Sequence, residues 1–96
     1  MNSTQKDTAV KMLTKAGFVI AIAFEHPTDP GCWSVWGCLE KPKGGMLSFA
    51  FFTTESKEDT FHVALMGVDK EDRGIREFNS FYDAVNHLTG YAEKYG

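Results

Sequence analysis

Residues 46–68 read MLSFAFFTT, then ESKED, then TFHVALMGV. Two uncharged runs rich in β-branched and aromatic residues flank a turn that is almost all charge. That is the pattern of two antiparallel strands joined by a short connection, because parallel neighbours need a long crossover. Side chains alternate across a strand, so each run splits into two faces. Leu47, Phe49, Phe51, Phe61, Val63 and Leu65 form a bulky set. Ser48, Ala50, Phe52, His62, Ala64, Met66 and Val68 form a smaller one.

The same reading extends towards the N-terminus. Cys32–Leu39 (CWSVWGCL) is another run, bounded by EHPTDPG at 25–31 and by EKPKGG at 40–45. Prolines and paired glycines mark both as loops. Phe18–Phe24 (FVIAIAF) is apolar throughout. Strict alternation places Phe18, Ile20, Ile22 and Phe24 with Trp33, Val35 and Leu39 on the bulky face. It places Val19, Ala21 and Ala23 with Ser34, Trp36 and Cys38 on the other.

Helices close both ends. Ala9, Met12, Leu13 and Ala16 share one face over residues 4–16, with Ser3 or Thr4 as the start cap and Gly17 as the stop. From about Ser80 to Tyr95, Phe81, Ala84, Val85, Leu88, Tyr91, Ala92 and Tyr95 form a continuous stripe. Ser80 and Asp83 resemble a capping box. Asp69–Gly74 is a charged turn, and Ile75–Phe78 adds at most an edge segment. The expected architecture is one α+β domain over residues 1–96, ordered α-β-β-β-β-α. A four-stranded antiparallel meander carries the N- and C-terminal helices packed on it.

The distribution of charge points to function. The chain of 96 residues is 43% hydrophobic and 24% charged, so it is a folded domain and not a disordered or fibrous one. None of the four runs contains Asp, Glu, Lys or Arg. A sheet face turned to water carries polar and charged residues at alternate positions, so both faces read as covered. Four strands at about 4.8 Å spacing make a sheet roughly 19 Å wide, and two helices roof only one side of it. The second face, centred on Trp36, Phe52 and Met66 with Ser34, Ala50, Ala64 and His62 around them, is left for another protein to cover. A homodimer is the simplest arrangement. The acidic residues Glu25, Asp29, Glu55, Glu58 and Asp59, opposed only by Lys57, form an expected rim at one end of the sheet.

The remaining signals narrow the class. A net charge of −3 with no basic stripe argues against direct nucleic-acid binding. The longest apolar run, Phe18–Phe24, is too short to span a membrane, and no signal peptide is read at the start. A reducing cytoplasm is the expected compartment, with Cys32 and Cys38 as thiols too far apart along a strand to pair. The H-x5-C-x5-C spacing from His26 to Cys38 is not a zinc pattern. Cys38 and His62, two strands apart, do not make a nucleophile and base. Lys43-Gly44-Gly45 is a hairpin turn and not a phosphate loop. No catalytic, cofactor or metal residues are expected.

The function expected is therefore a non-enzymatic protein-binding module, an inhibitor or adaptor. Immunity proteins and phage or plasmid anti-defence proteins, such as anti-restriction and anti-CRISPR proteins, share this size and charge. The rival expectation is a small enzyme or ligand binder with a pocket between sheet and C-terminal helix, lined by Tyr82, His87, Tyr91 and Tyr95.

Overall fold

The computed structural model describes residues 1–54 and 57–95. The chain runs α1 (Ser3–Ala16), β1 (Val19–Glu25), β2 (Trp33–Glu40), β3 (Met46–Thr54), β4 (Lys57–Met66), β5 (Gly74–Phe78) and α2 (Phe81–Tyr95), with one 3-10 turn at Lys70–Asp72. The strands form a single antiparallel meander in the order β1-β2-β3-β4-β5. The expected α+β class and helix positions hold. The sheet has five strands and not four, because residues 74–78 pair fully with β4 from Phe61↔Phe78 to Leu65↔Gly74. Arg76 and Glu77 are tolerated there because an edge strand has water beside it.

Local signals account for the ends of α1. Asn2, and not Ser3 or Thr4, is the cap: its side chain accepts from the Gln5 N–H, and the Gln5 side chain accepts from the Asn2 N–H. Gly17 stops the helix in the left-handed region at φ 108°, which a residue without a Cβ adopts at no steric cost. At α2 the Ser80 hydroxyl accepts from the Asp83 N–H at 3.4 Å.

Both helices lie on one side of the sheet. Helix α1 covers β1 and β2, α2 covers β4 and β5, and the two helices touch each other. Ala9 and Leu13 of α1, with Phe81, Ala84, Val85 and Leu88 of α2, join Val35, Leu47, Phe49, Phe51, Val63 and Leu65 in one core. Phe81 stacks on Phe51 at 5.8 Å and meets Phe61 edge-on at the same separation.

The strict alternation expected for β1 is broken. A β-bulge between Ile20 and Ile22 shifts the register, so Ile22 pairs with Trp36, Ala23 with Val35 and Phe24 with Ser34. Ile22 and Phe24 therefore belong to the open face and Ala23 to the helix side. One extra residue in a strand sends every later side chain to the opposite face. Val68, expected on the smaller face of a strand, lies beyond β4 and is buried in the core.

Candidate functional site

The side of the sheet away from the helices is open. Directly paired residues share a face, and one row runs across all five strands: Ile22, Trp36, Ala50, Ala64, Ile75. A second row is Val19, Cys38, Ser48 and Met66. Phe24 pairs with Ser34, and Phe52 pairs with His62, which pairs with Glu77. Glu40 sits opposite Met46 at one corner. Glu40 and Glu77 are formal charges placed on this face, and both lie at its margin.

The face is apolar and largely uncovered. Trp36 is 48% exposed and Met66 69%, and Val19, Ile22, Met46 and Ile75 are also half to two-thirds exposed. The six side chains amount to roughly 600 Å² of apolar surface, at or above the largest patch of an ordinary monomer. Phe24 meets the Trp36 indole edge-on at 5.7 Å. Phe52 stacks on the His62 imidazole at 5.2 Å and 15°. That stack leaves His62 only 8% exposed. Its Nδ1 faces Glu77 Oε1 at 3.8 Å, and its Nε2 has no hydrogen-bond partner among the described residues. Ser34 is buried, and Ala50 and Ala64 are half-buried. Relief across the central row is therefore two large side chains, two methyls, then one large side chain.

All seven residues expected to form the surface (Ser34, Trp36, Ala50, Phe52, His62, Ala64, Met66) share this one face. Ile22, Phe24 and Ile75 belong to it as well and were not anticipated. The bulge that turns Ile22 and Phe24 outward leaves no trace in a wholly apolar run. Ile75 and Phe78 flank the pair Arg76-Glu77, which is not a period-2 pattern, so no local signal places Ile75 on a strand face.

The acidic residues have a different position. Glu25 pairs with Trp33 and so sits on the helix side. Asp29 and Asp59 line a cleft of about 300 Å³ with Asn2, Thr53 and Phe61, also on that side. They mark one end of the sheet but border the helix layer and not the open face. Glu55 and the side chain of Glu58 lie outside the described residues.

The rival site is partly assembled. His87 and Tyr91 meet edge-on at 5.2 Å, and Tyr91 stacks on Tyr95 at 6.1 Å. His87, Tyr91, Asp72, Gly90 and Lys94 line an open recess of about 230 Å³. Tyr82 is not part of it; it is exposed and packs on Phe81. Burial holds the His87 imidazole below its ordinary range, with nearby Arg76 adding to the effect and Asp72 opposing it. Burial likewise pushes the Tyr91 phenol up. Lys94 donates to Asp72 at 3.0 Å and lies 3.4 Å from Asp69. The Asp72 carboxylate is thus engaged by Lys94, which ties helix α2 to the turn at 69–72.

Cys32 and Cys38 are free thiols. Cys38 lies on β2 and His62 on β4 with β3 between them, so the two are not neighbours in the sheet. Among the described residues no group of three His, Cys, Asp or Glu is placed to hold a metal, and no helix is long and apolar enough to cross a membrane. Comparison with protein-family models, with curated proteins and with solved structures finds no match to this chain.

Proposed function

We propose that this chain is a non-enzymatic protein-binding module whose contact surface is the open sheet face. The observation that carries this reading is the central row from Ile22 to Ile75: it is uncharged and spans every strand, and its three large side chains are about half or more exposed. Trp and Met at the centre of such a patch are the residue types that dominate interface cores. Inhibitors and adaptors, immunity and anti-defence proteins among them, act by masking surfaces in this way, and that is the role assigned here.

The test is a pair of charge insertions. Trp36→Glu and Phe52→Asp each abolish association. Far-UV circular dichroism and a cooperative thermal transition remain. Unfolding by both changes would place these side chains in the monomer core and end the proposal.

A further inference from the structure

We infer that the occupant of the open face is a second copy of this chain, related by a two-fold axis that runs parallel to the strands between β2 and β3. The inference rests on the reading of the open face as the contact surface and adds the partner and its registration.

The argument is the order of sizes along the central row. Ile22 and Trp36 are large, Ala50 and Ala64 are small, and Ile75 is large. Rotation about an axis between β2 and β3 lays β2 of one copy on β3 of the other, and β1 on β4. Trp36 then sits over the partner's Ala50, and Ile22 over the partner's Ala64. Knobs meet hollows twice over, by symmetry. The next row does not repeat this alternation: it sets Cys38 over the partner's Ser48, two small side chains, and Val19 over the partner's Met66, two exposed apolar ones. A two-fold axis along the row would instead set Trp36 on the partner's Trp36 and leave methyl facing methyl across a gap. Close packing at native density favours the first arrangement.

Charge and area agree with it. Glu40 falls over the partner's Met46, and Glu77, on β5, falls beyond the partner's β1 edge, so no like charges meet. Ile75, on β5 like Glu77, stays outside the overlap, so covering the rest of the patch on both copies removes roughly 1,000 Å² from water, at the lower limit for a specific interface. Aligned sheets pack about 10 Å apart and cross by about 30°, so outer rows diverge while the central row stays in contact near the axis.

The experiment is a knob-and-hollow exchange read by sedimentation velocity over a concentration series. The wild-type chain sediments with the mass of two chains. Trp36→Ala and Ala50→Trp each weaken the dimer by about tenfold or more. The double variant Trp36→Ala/Ala50→Trp, which exchanges knob and hollow, recovers the wild-type dissociation constant to within about threefold. Ala64→Phe, which meets the partner's Ile22, weakens the dimer independently and serves if Ala50→Trp does not fold. A double variant no tighter than its weaker parent, or a wild-type monomer at about 100 μM, overturns the inference. Binding of the apolar-surface dye bis-ANS separates the two failures. A monomer whose dye binding is lost in Trp36→Glu retains the face as a contact surface for another protein. A monomer that binds no dye loses both.

Discussion

Gly37 controls how closely β1 approaches β2. It is buried beside the bulge, and a Cβ there would press into the Val19 carbonyl and come within 2.9 Å of the Phe49 ring. The first neighbour is backbone and cannot swing away. Gly37→Ala is therefore an overpacking change, and urea unfolding should show a loss of about 1–3 kcal/mol. Phe49 is the complementary case. It is buried against Phe18 at 5.4 Å in an edge-to-face pair, and Phe49→Ala should cost about 3–5 kcal/mol by leaving a cavity. Neither side chain reaches the open face, so both variants should keep the wild-type association once allowance is made for the unfolded fraction. Trp36→Glu should show the reverse, with stability little changed and association lost. Equal effects of Gly37→Ala on stability and on dimer affinity would mean that core and contact surface are not separable.

At the scale of elements, what the sequence discloses depends on where charge falls. Strands β2, β3 and β4 are each set off by loops bearing proline, glycine or charge, and residues of different bulk alternate along them. Trp36, Ala50, Ala64 and Met66 were therefore legible as one face. Strand β1 has no polar residue before Glu25 to fix its phase, so the bulge at Ala21 and the outward turn of Ile22 and Phe24 were not. The charges of β5 read as a continuation of the turn before it because nothing local distinguishes an edge strand from a loop. Of these two edges one is bulged and the other short and charged, and both features discourage pairing with further strands. The tie between α2 and the turn at 69–72 makes a separate prediction about pH. His87 has its folded-state pKa lowered below 6.5, chiefly by burial. Above that value both states are neutral and the group is silent. As pH falls through it the unfolded chain takes up the proton first, so stability is lost on acidification. Asp72 is lowered below 3.8, chiefly by its hydrogen bond from Lys94, and its contribution is lost at still more acid pH. Thermal midpoints followed from pH 8 to pH 3 should fall below about pH 6.5, and His87→Gln should remove that first decline. A decline of unchanged size in His87→Gln would assign it to another group.

For the whole molecule, the direction of the two-fold axis decides where the acidic ends go. An axis parallel to the strands keeps both copies pointing the same way, so Glu25, Asp29 and Asp59 of each copy lie at one end of the dimer. On their own strands or loops they belong to the helix side, turned away from the partner. With the sheets about 10 Å apart and the acids facing outward, separations exceed the screening length of about 8 Å at physiological salt, and repulsion between the ends is weak. The dimer then presents a doubled acidic end to any basic third partner while its apolar faces are sealed. A perpendicular axis would dock each acidic end beside the Lys41 and Lys43 turn of the other copy and make the contact depend on ion pairs. The two arrangements respond oppositely to charge. Under the parallel axis, the double variant Asp29→Lys/Asp59→Lys should leave the dissociation constant within about threefold of wild type. Raising salt from about 50 mM to about 500 mM should change it by no more than that. Under the perpendicular axis the same reversal sets lysine against lysine, and both treatments weaken the dimer by about tenfold or more. Sedimentation of the charge-reversed chain at low salt separates them, because that is where screening masks least.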